Sequence, residues 1–142
     1  MRQKITRLLL AAAGAAALLC SAACKKDAQV DSILAELDSF TQELLKKIES
    51  NPDPSAGVDE ARKYFDSERA EIAAKLAVLK EVRGDQVANS DEVKRKMLDS
   101  LYTDLMSMEG LRTRYMSNSM RDPAFKEKLE KLVSDYKQLF DV

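Results

Sequence analysis

The sequence predicts an all-α protein, an antiparallel four-helix bundle preceded by a cleaved signal segment. Three observations predict it. After Val30, apolar residues recur at steps of three and four in four separate stretches, the period of a helix that buries one side. Clusters of Pro, Gly, Asn and Ser separate those stretches, and the chain is otherwise poor in helix breakers, with 4 Gly and 3 Pro in 142 residues. Helices with one apolar stripe and short connections must cover those stripes against one another. A three-helix core with a peripheral first helix is the alternative packing.

The first helix follows from Ile33, Leu34, Leu37, Phe40, Leu44, Leu45 and Ile48. Asn51-Pro52-Asp53-Pro54-Ser55-Ala56-Gly57 then interrupts it, because two prolines and a glycine among small polar residues do not continue a helix. The second helix is expected from about Val58, with Ala61, Phe65, Ile72, Leu76 and Leu79 on its stripe and Gly84 as its stop. Glu68 and Lys75 lie close to the middle of that stripe. Either they snorkel or pair at its boundary, or they form a polar specificity feature in the core.

Asn89-Ser90-Asp91-Glu92 reads as a capping box that starts the third helix. Its stripe is Val93, Met97, Leu101, Leu105, Met108, Leu111 and Tyr115, continuing to about Ser119. At about 30 residues, or roughly 45 Å, it is expected to kink near Gly110, to fray by Ser117-Asn118-Ser119, or to project beyond the bundle. Asp122-Pro123 opens the fourth helix, since Asp caps well and proline at the first helical position loses no needed hydrogen bond. Phe125, Leu129, Leu132, Val133, Tyr136, Leu139 and Phe140 form its stripe.

The amino-terminal residues carry a different pattern. Arg2, Lys4 and Arg7 form a basic region, residues 8–19 are uninterruptedly apolar or small, and Ser21-Ala22-Ala23 lead to Cys24. This is the layout of a bacterial export signal. Twelve apolar residues make roughly 18 Å of helix against about 30 Å of bilayer hydrocarbon, too short for a comfortable permanent span. The small residues before Cys24, with Lys25-Lys26-Asp27 after it, resemble the lipobox of bacterial lipoproteins. Ser21 stands where Leu is most usual, and Cys20 is the poorer acceptor because Leu19 would occupy its cleavage point. That resemblance implies cleavage before Cys24, a diacylglyceryl group on its thiol, and fatty acylation, palmitate-like, of the new amino terminus. It also implies a membrane partner through those chains and, because Lys25 replaces the Asp that retains many such proteins in the inner membrane, sorting to the outer membrane. Ordinary secretion is the alternative, since Ser21 and Ala23 also suit the common signal peptidase. The organisation is then residues 1–23 as signal peptide, 24–29 as lipidated Cys and extended tether, and 30–142 as helical bundle.

Composition narrows the chemistry. His and Trp are absent, which removes imidazole acid–base catalysis and His metal ligands. There is no Gly-x-Ser-x-Gly turn and no phosphate-cradling glycine loop, and pairs such as Asp59-Glu60 are what any charged helix shows. No enzyme and no cofactor are expected. Removal of residues 1–23 leaves 20 Lys and Arg against 24 Asp and Glu, and that acidic balance speaks against nucleic acid as a partner.

What remains is methionine. Five of six lie between Met97 and Met120, and on a helical wheel Tyr102, Met106 and Met120 fall about 100° or more from the stripe centre, with Leu98 and Met116 between the two sets. Tyr102, Met106, Met116 and Met120 are therefore the candidate partner-binding residues. The expected function is an envelope lipoprotein whose bundle is a protein-interaction or assembly-stabilising module. By architecture this is similar to helical pilotin-type lipoproteins, which dock a segment of a secretion pore subunit. A periplasmic bundle binding a small ligand, or a soft metal through Met thioethers, is the alternative; no defined metal site is expected.

Overall fold

The computed structural model describes residues 3–140, with side chains described from Lys26. It contains α1 (Gln3–Glu49), α2 (Pro54–Lys80), a 3-10 turn (Gly84–Gln86), α3 (Ser90–Arg114), a short α4 (Met116–Arg121) and α5 (Pro123–Phe140). No strand occurs among the described residues. The signal segment and Cys24 lie outside the described side chains.

Four helices form the bundle. α1 packs against α2 and α3, while α5 packs against α2, α3 and α4. Ion pairs give the directions. Lys75 of α2 meets Glu36 of α1, whereas Gly57 of α2 lies against Ile48 of α1, so those two run antiparallel. Arg112 with Glu130 and Tyr115 with Phe125 do the same for α3 and α5. Lys96 pairs with Asp31 at 2.6 Å and Arg114 with Glu49, which makes α3 parallel to its neighbour α1. α2 and α5 are likewise parallel, through Lys128–Asp59 and Arg62–Asp135. Consecutive helices thus alternate up and down, and the α2–α3 connection meets α1 at Asp27, midway along that helix.

Every residue expected on the stripes of α1, α2 and α5 is buried except Phe140, which packs at the edge. Phe40, Phe65 and Tyr136 meet in the middle, with ring centroids 6.1 Å apart for Phe40 to each of the other two. Each fully buried Leu or Phe contributes roughly 1.5–3 kcal/mol. α3 is more peripheral. Met108 and Leu111 are fully covered, but Val93, Met97, Leu101, Leu105 and Tyr115 are only partly buried against the core.

Several boundaries differ from the sequence expectation. α2 begins at Pro54 rather than near Val58, because Asp53 caps it by accepting from the Ser55 N–H at 2.9 Å, with proline in the first turn. The same Asp-Pro device opens α5, where Asp122 Oδ1 accepts from Ala124 and Phe125. Gly57, inside α2, is buried against the end of α1; a Cβ there would lie 2.9 Å from the Ile48 carbonyl oxygen. The long third helix breaks at Tyr115 (φ −102°, ψ 20°), not at Gly110. There the Tyr115 ring packs on Phe125, 5.8 Å between centroids, as the chain turns toward α5. At the start of α3, Asn89 accepts from the Glu92 N–H, but the Glu92 carboxylate takes a hydrogen bond from the Asn89 side-chain amide rather than its backbone. Residues 26–29, expected as an extended tether, are helical, and the Asp27 carboxylate accepts from the Ala88 N–H at 3.2 Å. Glu68 is half-buried, while Lys75 pairs with Glu36 and Glu71 at the boundary of the α2 stripe.

Candidate functional site

α3 touches α1 along one flank and α5 along the other, so its outward face has no neighbour in the bundle. Leu98, Tyr102 and Met106 recur there every four residues and are 69%, 65% and 51% exposed. At 1.5 Å per residue they span about 12 Å of helix. Met116 and Met120, 58% and 80% exposed, belong to α4, beyond the break at Tyr115. The structure therefore joins Tyr102 and Met106 with Leu98 in one strip and separates Met116 and Met120 into a second, shorter one. The wheel placed Leu98 only at the margin of the patch. It is more exposed than that because α3 is covered by two neighbours rather than three.

Behind the strip lies a feature that the sequence reading missed. Asp104, 2% exposed, is buried on α3 among Leu101, Met108 and Leu111, and its Oδ2 has no hydrogen-bond partner. Thr41 of α1 and Tyr136 of α5 are its polar neighbours. Thr41 donates to the Leu37 carbonyl at 2.9 Å and shares a 2.6 Å hydrogen bond with the Tyr136 hydroxyl. Burial raises the Asp104 carboxyl to about 7, the nearby Asp38 carboxylate adds to the rise, and the Thr41 hydroxyl opposes it. Tyr136 is likewise pushed upward, chiefly by burial. The signal was present in the sequence: Asp104 stands four residues before Met108 and seven before Leu111, an inward register.

Asp38 and Asp104 line a groove of about 530 Å³ between α1 and α3, together with Asp99, Arg95, Lys96 and Thr103. Burial on α3 and the Asp38 carboxylate across this groove on α1 both favour the protonated form of Asp104. Among the described residues, no group of three or more His, Cys, Asp or Glu is placed to hold a metal ion. Met116 and Met120 are one turn apart on α4, but Met106 is on another helix, so the three thioethers do not form one ligand set on a single face.

Comparison with protein-family models, with curated proteins and with solved structures finds no match to this chain. Among the described residues, no helix is long and apolar enough to cross a membrane.

Proposed function

We propose that this chain is an envelope lipoprotein, held at the outer membrane through acyl chains on Cys24, whose bundle docks a helix of an envelope protein and thereby localises or stabilises an assembly. It acts by binding and not by catalysis. The observation that carries the docking role is the strip of Leu98, Tyr102 and Met106, each more than half exposed and aligned on one face of α3. Residues four apart on one helix face match the spacing with which a partner helix presents its own anchors. Met adapts to irregular surfaces and Tyr offers an apolar ring with a polar tip.

Two measurements test the two halves separately. Metabolic labelling with a fatty-acid probe should mark the native protein and not Cys24→Ala, while Cys20→Ala keeps the label; unchanged labelling of Cys24→Ala would end the lipid-anchor reading. Pull-down from detergent-solubilised envelope should recover a stoichiometric protein with the native chain and not with Met106→Glu. Recovery of the same protein by a folded Met106→Glu variant would move the docking surface off α3.

A further inference from the structure

At the end of the bundle where Asp27 meets Ala88, a cavity of about 230 Å³ lies beneath the 3-10 turn, between the last turn of α2 and the first turns of α3. Its apolar walls are Leu79, Val82, Val87, Val93 and Met97. α2 and α3 are diagonal in the bundle and their backbones do not approach closely, and the connection between them lines the gap at their ends. The charged side chains lining the cavity are Lys80, Arg83 and Lys94, and no carboxylate lines it. Among the described residues, none of these three cations is paired in a salt bridge. Glu81, Asp85 and Asp91 are close in sequence but do not line the cavity.

We propose that this cavity takes an acyl chain of an anionic lipid, with the headgroup against Lys80, Arg83 and Lys94. The inference rests on the lipid-anchor reading for its orientation. Cys24 precedes Asp27 by three residues, which at full extension reach no more than about 11 Å. An acylated Cys24 therefore holds this end of the bundle, and not the end at Glu49, against the bilayer. Apolar walls with a few convergent polar groups at the rim are the usual make-up of a small-ligand site. The volume is below the roughly 300 Å³ at which drug-sized sites begin, so it admits part of one chain and not a whole lipid. Three cations around an apolar opening suit an amphiphile with an anionic head, and basic residues near an anionic surface each strengthen binding about fivefold.

The test uses the full chain reconstituted into phosphatidylcholine vesicles, with or without phosphatidylglycerol, each containing a trace of phospholipid with a photoreactive diazirine in its acyl chain. Adducts are mapped by mass spectrometry, and a parallel arm offers a soluble diazirine fatty acid. The expected result is labelling within residues 79–97, stronger in the anionic vesicles and reduced about tenfold or more in the double variant Arg83→Glu, Lys94→Glu. Both side chains are exposed, so that variant keeps the fold, whereas the cavity-filling Val93→Phe also tests the walls. Labelling confined to residues before Lys26, or spread evenly over all helices, overturns the proposal, and equal labelling in both vesicles overturns its anionic preference. Preference for the fatty acid over the phospholipid would assign the cavity to free fatty acid. Acylation of Cys24 is read from the same spectra. A chain without it that still labels at 79–97 sinks the anchor and keeps the cavity, and an acylated chain without that label does the reverse.

Discussion

Thr41 of α1 and Tyr136 of α5 are hydrogen-bonded at 2.6 Å across the diagonal of the bundle, between two helices whose backbones do not otherwise approach. Because Thr41 directs its proton to the Leu37 carbonyl, the Tyr136 hydroxyl is the donor. Tyr136→Phe should then cost about 1 kcal/mol, the usual net value of one buried hydrogen bond, while Tyr136→Ala should cost about 3–5 kcal/mol through the cavity it leaves. Chemical denaturation of the two variants checks the ratio. A neutral Tyr136→Phe would show that ring packing on Phe40 carries the whole contribution.

Asp104 makes the stability depend on pH. Its folded carboxyl is raised from 3.8 to about 7, so between those values the native state holds a proton that the unfolded chain releases. The benefit is full below about pH 4 and is lost as pH rises through 7, with a slope of at most about 1.4 kcal/mol per pH unit. Glu36 and Glu43 act oppositely, held low by Lys75 and Lys47, but they matter below their ordinary value of 4.5. Denaturation midpoints should therefore fall from pH 5 to 8 in the native protein and stay nearly flat in Asp104→Asn. Equal slopes in both would assign the dependence to another group.

Two glycines should respond in opposite directions to alanine. Gly57→Ala forces a Cβ to 2.9 Å from the backbone of Ile48, so α1 and α2 must separate, and a loss of about 1–3 kcal/mol is expected despite alanine's better helix propensity. Around Gly110 no heavy atom beyond its chain neighbours and the adjacent backbone of its own helix lies within 4 Å of an added Cβ. Gly110→Ala should gain up to about 1 kcal/mol. Thermal melts of the pair settle both signs.

Met106 and Met108 are two residues apart and face opposite environments, 51% and 0% exposed. Met106→Glu should change stability by no more than about 0.5 kcal/mol. Met108→Glu buries a charge without a partner and should cost several kcal/mol or prevent folding. Circular dichroism during urea titration distinguishes them, and an unfolded Met106→Glu would show that the strip packs inward in solution.

Much of this architecture could be read from the chain alone, because its helices are long, strongly one-sided and punctuated by local chemistry. The stripes of α1, α2 and α5 and the Asp122-Pro123 start of α5 depend on residues within a turn or two of each other, so periodicity and capping specify them. Asp53-Pro54 carries the same signal, but the prolines and Gly57 around it obscured the start of α2. Exposure of Tyr102, Met106, Met116 and Met120 follows from the same helical period, although the break at Tyr115 divides them. The signal segment and the expected acylation at Cys24 rest on sequence pattern alone.

Other features needed the folded chain. Which helices are neighbours is decided by side chains far apart in sequence, such as Lys96 with Asp31 and Lys128 with Asp59, and four similar stripes do not encode that choice locally. At the break, the Tyr115 ring packs on Phe125 of α5, and the close approach at Gly57 is to Ile48 of α1. Asp104 had an inward register in the sequence, but its raised carboxyl arises only when the closed bundle buries it and brings Asp38 of α1 near. Periodicity acts over a few residues and fixes which side of a helix turns inward; burial, like-charge proximity and close backbone approach are properties of surfaces brought together from distant parts of the chain, and they exist only once the bundle has closed.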